Sequence, residues 1–362
     1  MSRDGQIFIC LATVLVAVGV VMAHSASMTS RPTDKDEHHL GRHAMYLGLG
    51  LVAATACALT PATIWFRAAP WLFGVSVLLL VAVLIPGIGT EVNGARRWLR
   101  AGPISVQPSE IAKLALPLLL ARLAVARGDR LGEWIGGTVP ILWPAGILLP
   151  LVLLEPDLGT MLFLAAGAGL LLFLAGWPLR NFALGIAAAV PMVAAMILLQ
   201  PYQLRRLTGF VAAWTEPASA PYQVRQSLIT LGSGGLTGTG LGRGWQKLSF
   251  LPEANTDFVF AVVGEELGLI GTIGILAVWM GVYFVGLRLL GKVTAHRFEF
   301  LCGVTLLTQL AGQALVNMAV VTALLPPKGI ALPLISYGGS NLVTSLAAIG
   351  MILSFSRATE PT

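Results

Sequence analysis

Charged residues are scarce in this sequence of 362 residues. Asp, Glu, Lys and Arg make up 11% of the chain, whereas 56% is hydrophobic and the mean hydropathy is +0.80. Soluble globular domains contain roughly 25% charged residues, so this chain has too few to cover a surface that faces water. The scarcity excludes soluble, disordered, collagen-like and coiled-coil classes. It predicts one polytopic integral membrane domain over residues 1–362.

Cysteine is also sparse, since the chain has only three, Cys10, Cys57 and Cys302. Each lies inside an apolar run, and neither their odd number nor their spacing suits a disulfide framework or a metal site. We interpret them as small hydrophobic side chains of the core. The net charge of +6 favours an anionic ligand or anionic lipid without distinguishing the two.

Long apolar runs fill most of the chain. About twenty mostly apolar residues span a bilayer as a helix, and no run alternates with the period of a membrane strand. The predicted fold class is therefore all-α, with about ten transmembrane helices. The first run exceeds the apolar part of a signal peptide, so we expect a retained span. The spans are predicted at residues 6–26, 44–62, 71–87, 109–127, 137–154, 158–176, 181–199, 257–287, 299–322 and 337–355.

Three connections between the spans are long, at residues 27–43, 88–108 and 200–256. Ten spans place both termini on one side of the membrane and these three loops on the other. The terminus side carries ten Lys or Arg residues and the long-loop side twelve, so the positive-inside rule does not select the cytoplasmic side. We interpret the basic residues of the long-loop side as serving an anionic ligand.

A basic aromatic segment, residues 91–113, leads into the fourth span. Three arginines and Trp98 fall within ten residues, which suits either an interfacial anchor or a substrate-binding collar. Lys113 favours the collar, because a charge one turn inside an apolar helix costs roughly 2.5–3.5 kcal/mol on insertion scales. Such a charge needs an anionic partner or a polar cavity.

A polar turn, residues 155–160 with the sequence Glu-Pro-Asp-Leu-Gly-Thr, joins the fifth and sixth spans. Asp157 has two interpretations here. It is either the cap of the sixth helix or a carboxylate that lines a cavity, and the sequence favours neither.

Glycine is concentrated at the end of the longest loop, in residues 234–247. The spacing resembles that of dinucleotide sites, but no strand precedes it, so a nucleotide-binding fold is not expected. Backbone amides beside Arg243 and Lys247 would suit a pyrophosphate. A flexible surface loop is the alternative interpretation.

Three carboxylates mark the eighth span. Asp257 opens it, and Glu265 and Glu266 follow about 12 Å deeper at 1.5 Å per residue. Asp257 is either an N-cap or a functional acid at the membrane edge. Glu265 and Glu266 point in different directions, so at least one faces protein or water instead of lipid. The three acids predict a functional cavity. The proline-rich segment at residues 325–340 is interpreted as helix packing.

Taken together, these motifs resemble those of the SEDS family of polytopic peptidoglycan glycosyltransferases, which has a division-type branch (FtsW) and an elongation-type branch (RodA). The matches occur in family order, and the segments at residues 222–227 and 240–247 favour the division-type branch. The matching stretches are residues 93–98, 107–113, 155–160, 222–227, 251–258, 264–268 and 332–340.

The resemblance implies a bacterial inner-membrane location, cytoplasmic termini and a large extracytoplasmic loop between spans seven and eight. Asp257 matches the family's essential aspartate, and Arg42, Arg97 and Asp157 match other polar positions. Several members carry a cation directly before the Gln-Pro pair, where this chain has Ser105-Val106. Arg100 or Lys113 would then have to replace it. Substrate binding is expected at Arg42, Arg97, Gln107, Lys113, Asp157, Lys247, Glu253 and Glu265.

The expected reaction is polymerisation of lipid II, an undecaprenyl-pyrophosphate disaccharide-peptide, into glycan strands. Asp257 would act as the base, and Arg42, Arg97 and Lys113 would stabilise the pyrophosphate that leaves. A single carboxylate at the reacting edge favours inversion of the donor sugar over a double displacement. A divalent cation, Mg²⁺ or Mn²⁺, held by acidic residues would be compatible with this chemistry, and no organic cofactor is expected.

The expected partners are the membrane, other division or elongation proteins, and a class B penicillin-binding protein. The penicillin-binding protein is expected along spans eight and nine, where glycine and alanine allow close helix contact, and no nucleic acid is expected. Two other interpretations stay open. One is a transporter that flips lipid II, and the other is a scaffold for the division machinery.

Overall fold

The computed structural model describes residues 2–27, 34–92, 94–102, 104–216, 219–245 and 250–358, and helices dominate them. Three short turns, Gly128–Arg130 and Gly291–Val293 (both 3₁₀) and Trp134–Thr138 (π), extend the helices. The helices are α1 (Arg3–Ser27), α2 (Asp34–Leu59), α3 (Ala62–Leu84), α4 (Pro108–Ala126), α5 (Val139–Leu154), α6 (Leu158–Leu174), α7 (Leu179–Leu199), α8 (Pro201–Thr215), α9 (Tyr222–Ser233), α10 (Val259–Leu290), α11 (Arg297–Val321) and α12 (Gly339–Phe355).

A helix lies at each of the ten predicted spans in the described part of the chain, which confirms a helical, polytopic membrane protein. Among the described residues, seven helical segments are long and apolar enough to cross a membrane, and α6 and α12 are shorter apolar helices. The remaining one, α4, carries three charged side chains, so ten crossings stay a prediction. The third helix begins at Ala62, earlier than predicted, because Pro70 lies inside it without ending it.

Burial distinguishes central from peripheral helices. In an apolar 18-residue stretch of α11, 72% of the residues are buried, whereas no residue is buried in the corresponding stretch of α7. The most extensive contacts between described helices join α2 with α12, α1 with α10 and α3 with α4. An apolar helix with no buried face is suited to lipid on all sides, so α11 forms the centre of the bundle and α7 its outer edge.

The long connections contain structure that the all-α prediction omitted. A three-stranded antiparallel sheet in the order β1-β2-β3 occupies the connection before α4, with β1 at Gly89–Val92, β2 at Ala95–Ala101 and β3 at Ile104–Val106. Gly94 and Gly102 have positive φ values of 77° and 59°, which suits the turns between short strands. The longest connection contains α8 and α9, which account for about half of its described residues.

Candidate functional site

A cavity of about 120 Å³ opens where the starts of α4 and α10 meet α11 and the segment between α11 and α12. Three of the residues predicted for the site, Gln107, Lys113 and Asp257, contribute to its wall. The cavity is lined by Trp98, Gln107, Glu110, Lys113, Thr160, Thr256, Asp257, Gln313, Gly329, Ile330, Ala331, Tyr337, Gly338 and Asn341.

Asp257 precedes α10 and does not cap it, because the N-cap position is Phe258 and no side chain caps the helix there. Its carboxylate is half-buried in the cavity wall. A Cβ placed on Gly329 would lie 3.2 Å from Asp257 Oδ2, so a glycine at that position leaves room for the acid. Burial first, and then the charge of Glu253, raise the pKa of Asp257 to about 7, and Arg206 opposes the rise. A carboxyl with this pKa is suited to general-base catalysis near neutral pH.

Asn317 fixes the backbone beside Asp257. Its Nδ2 atom donates to the backbone oxygen of Asp257 at 2.8 Å and to that of Ile330 at 2.7 Å. These two residues belong to neighbouring segments of the cavity wall, so one amide on α11 holds both. Sequence reasoning missed Asn317. The sequence did contain a signal for it, namely a side-chain amide inside an apolar helix. Burying such an amide is costly unless it is hydrogen-bonded.

Lys113 has the anionic partner that its position required. Its Nζ atom lies 2.6 Å from Glu110 Oε1 and 2.9 Å from Gln313 Oε1. Glu110 also accepts hydrogen bonds from Asn341 and Thr344 of α12, at 3.3 and 3.1 Å. The ion pair is therefore embedded in a polar network that joins three helices beneath the cavity, and each buried charge is compensated.

Arg97 holds the turn between α5 and α6. Its guanidinium donates to the backbone oxygens of Glu155, at 3.0 Å, and of Pro156, and its Nη1 lies 3.5 Å from Asp157 Oδ2. Asp157 accepts hydrogen bonds from the amide and hydroxyl of Thr160 at 3.0 and 2.9 Å. Asp157 is therefore the cap of α6. Thr160, which Asp157 binds, is one of the residues that line the cavity.

Glu155 and Lys328 are titratable groups near the site that sequence reasoning did not select. Glu155 is buried, and in the described part of the chain its carboxylate oxygens have no hydrogen-bond partner. Burial and the charge of Asp157 raise its pKa to about 8, although Arg97 opposes the rise. Burial lowers the pKa of Lys328, against the attraction of Asp157. The segment containing Lys328 thus contributes a cation beside the site as well as helix packing.

The other predicted substrate residues lie outside the cavity wall. Arg42 is exposed on α2, where its charge opposes the burial that raises the pKa of Tyr337. Glu253 has a φ of 54° and accepts a hydrogen bond from Thr256 Oγ1 at 2.9 Å. Glu265 is not brought to the cavity and instead accepts from the amide of Trp245. Lys247 lies outside the described residues.

The described residues include no cluster of three or more His, Cys, Asp or Glu side chains that could hold a metal ion. Among the described residues that line the cavity, the acids are Glu110 and Asp257.

Comparisons with known proteins match this architecture. The family model described as "cell cycle protein" (FtsW/RodA/SpoVE) covers residues 5–360. A "probable peptidoglycan glycosyltransferase FtsW" of Coxiella burnetii is 40% identical over 365 residues, covering 99% of this chain and 97% of that protein. Among solved structures, a chain of a peptidoglycan synthase complex, from work on the coordination of polymerization and crosslinking, has a TM-score of 0.78 at 29% identity, covering 97% and 96% of the two chains. The rod shape determining protein RodA of Thermus thermophilus has a TM-score of 0.69 at 30% identity, covering 97% and 95%.

The helical bundle and its acidic cavity define a multi-pass membrane protein with a polar site among its helices. The chain belongs to the FtsW/RodA/SpoVE family, which is the SEDS family that its motifs predicted. The identity to the FtsW relative, 40%, exceeds the 30% to RodA, in agreement with the division-type branch.

Proposed function

We propose that this chain is a division-type peptidoglycan glycosyltransferase that polymerises lipid II in the bacterial inner membrane. The termini would lie in the cytoplasm, and the connection at residues 200–256 would lie outside. One observation carries the proposal most directly. Asp257 faces a cavity at the start of a membrane helix, its pKa is raised to about 7, and Lys113 lines the same cavity.

In the proposed reaction, the carboxylate of Asp257 accepts the proton of the acceptor sugar's 4-hydroxyl. The hydroxyl oxygen forms a bond to the anomeric carbon of the donor sugar, and the bond from that carbon to the pyrophosphate oxygen breaks. The electron pair leaves with undecaprenyl pyrophosphate. A single displacement of this kind inverts the donor carbon, and it needs positive charge near the leaving group.

We assign the stabilising charge to Lys113 in the cavity wall and to Arg42, which is exposed on α2. Arg97 receives a different role. Because its guanidinium binds the turn between α5 and α6, it shapes the cavity wall from behind.

A divalent cation is compatible with this site only as a group shared with substrate. Mg²⁺ in proteins is commonly held by one or two carboxylates together with substrate phosphates. Asp257 and Glu253, whose charges act on one another, would hold it together with the pyrophosphate. When bound, the ion would neutralise charge on the leaving group.

We propose that a class B penicillin-binding protein binds along the outer face of α10. The chain of the solved peptidoglycan synthase complex supports this expectation. Of the small residues that suggested α11, Ala311 and Ala314 are buried, so α10 offers the larger free surface. Its exposed stripe comprises Ile270, Ile273, Met280 and Phe284.

The experiment that tests the activity uses purified protein in detergent with lipid II, with and without a class B penicillin-binding protein. The account expects glycan strands on a gel and released undecaprenyl pyrophosphate. A transporter would make no strands under these conditions but would move fluorescent lipid II across a vesicle bilayer. A scaffold would do neither.

A further inference from the structure

The helix α10 is interrupted at Gly268, whose φ of 67° and ψ of −164° are not helical. The interruption frees backbone groups that a helix would otherwise bond internally. The carbonyl oxygen of Glu265 accepts from the amide of Thr239 at 2.9 Å, and that of Glu266 accepts from the amide of Gly240 at 3.0 Å. The break is thus hydrogen-bonded by a different segment of the chain.

That segment is residues 234–245, here called the glycine loop. It also accepts hydrogen bonds from the far side of the break. The amide of Leu269 donates to Gly235 O at 3.0 Å, and the amide of Ile270 donates to Leu236 O at 3.2 Å. Irregular backbone within a membrane protein is tolerated where protein satisfies its polar groups, and the glycine loop meets that requirement.

The side chains of the glutamate pair bind the same loop. Glu265 Oε1 accepts from the amide of Trp245 at 2.8 Å, and Glu266 Oε2 accepts from the amide of Gly242 at 3.1 Å. The hydroxyl of Ser25 on α1 lies 2.6 and 2.7 Å from the two carboxylate oxygens of Glu266. Hydrogen bonds to a charged acceptor are roughly twice as strong as neutral ones.

Close approach explains the glycine content of the loop. A Cβ on Gly234 would collide with the backbone of Gly264, and a Cβ on Gly238 would collide with the backbone of Glu266. A Cβ on Gly244 would lie 2.7 Å from Glu265 Oε2. The sequence predicted that backbone amides of this loop would suit a pyrophosphate. In the structure, the amides of Gly242 and Trp245 instead bind carboxylates of the chain itself.

We propose that Glu265 and Glu266 are positioning residues that fix the first part of α10, residues 259–267, as a short arm carrying Asp257. Residues 259–266 are all buried, and Asp257 stands two residues before the arm. The glycine loop holds one end of the arm, and Ser25 connects that end to α1. The inference rests on the proposed role of Asp257, and it replaces the expectation that Glu265 binds substrate.

The test compares the activity of Glu266→Gln and Ser25→Ala with that of the parent, expressed for each variant per amount of folded protein. Gln keeps the size and one acceptor oxygen but removes the charge, and Ala removes the connection to α1. Because a misplacement of about 1 Å can cost about 10²-fold, we expect kcat to fall about tenfold or more in Glu266→Gln. The KM for lipid II should change less than about twofold. Ser25→Ala should show a smaller loss of the same kind.

A further readout separates positioning from a general loss of structure. Amide exchange in nanodiscs should accelerate in the arm and the glycine loop but not in α11. The matched control is Glu299→Gln, a half-buried glutamate in the first turn of α11, which should match the parent throughout.

Amide exchange does not depend on turnover. It therefore also tests whether Glu266 and Ser25 hold the arm in place if the parent makes no glycan and the proposed function fails. Unchanged exchange in both variants would overturn the inference. Accelerated exchange with unchanged kcat would also overturn it, because the arm would then be loose without consequence for Asp257. If Glu266→Gln does not fold, Ser25→Ala decides between these outcomes.

Discussion

Asn317 and Asp257 are joined by a hydrogen bond of 2.8 Å from the Asn317 Nδ2 atom to the Asp257 backbone oxygen. The same nitrogen reaches Ile330 O at 2.7 Å. Asp257 therefore owes its position to α11 as well as to its own segment. The central buried helix of the bundle in this way fixes the residue that faces the cavity.

Replacing Asn317 should harm both stability and activity. Asn317→Leu fills a similar volume but leaves two partly buried carbonyl oxygens without that donor, and such a loss costs about 1–3 kcal/mol where the group is fully buried. We expect a lower melting temperature in detergent and a loss of glycan synthesis that exceeds the loss of folded protein. Thr308→Leu, elsewhere on α11, serves as the control, and an equal effect there would contradict a specific role for Asn317.

Arg97 should be required for polymerisation because its planar guanidinium donates several hydrogen bonds at once. Arg97→Ala removes the donors that bind the turn between α5 and α6, so we expect strongly reduced polymerisation in a protein that still inserts and remains monodisperse. Arg97→Lys should rescue only in part, since a lysine ammonium cannot reproduce the planar array of guanidinium donors. The measurement is the initial rate of strand formation.

The adjacent Arg96 provides the matched control for Arg97. It points to the other face of β2 and pairs with the exposed Glu91 at 3.3 Å, an interaction worth little at a surface. Arg96→Ala should retain near-parental activity. Equal losses in the two variants would show that the segment acts only through its overall charge.

The pH dependence of the rate should report Asp257. The pKa of this carboxyl is raised to about 7, and a general base acts when deprotonated, so kcat should rise with pH through about 7. Glu253 contributes to the rise in pKa. Glu253→Gln should therefore move the acid limb to lower pH, whereas Glu91→Gln, distant from Asp257, should leave it in place. A shift to higher pH in Glu253→Gln would contradict the assignment.

Much of the helical organisation was predictable from the sequence, because apolar length and turn chemistry determine where membrane helices form. Lys113 was correctly expected to have an anionic partner, because an unpaired charge in that position is too costly. The three-stranded sheet was not predictable in the same way. Its strands are short, and their stability depends on pairing between residues and not on a run of one type.

The candidate site was predictable only in part. Gln107, Lys113 and Asp257 do line one cavity, but Glu265 is hydrogen-bonded to the glycine loop instead. The sequence pattern places glycines and acids near the membrane edge, and it does not say whether the amides meet a substrate or another part of the chain. That outcome depends on the interruption of α10 at Gly268, which local helix propensity does not reveal.

The partner surface can be tested with single cysteines on α10. Cysteines at Ile273 and Met280, both about half exposed, should crosslink to the membrane helix of a class B penicillin-binding protein in reconstituted bilayers. The control positions are Leu184 and Val190 on α7, which are similarly exposed and apolar. Efficient capture from α7 with none from α10 would reject the proposed surface.

The most direct test of the account is the rate of glycan formation by Asp257→Asn with purified lipid II. Asn keeps the size of the side chain while removing the charge and the proton acceptor, and the structure excludes a capping role that Asn would preserve. We expect a protein that inserts and binds its partner like the parent but has lost at least the roughly 10²–10⁴-fold that general-base catalysis contributes. Polymerisation within a few-fold of the parent would contradict the catalytic role of Asp257.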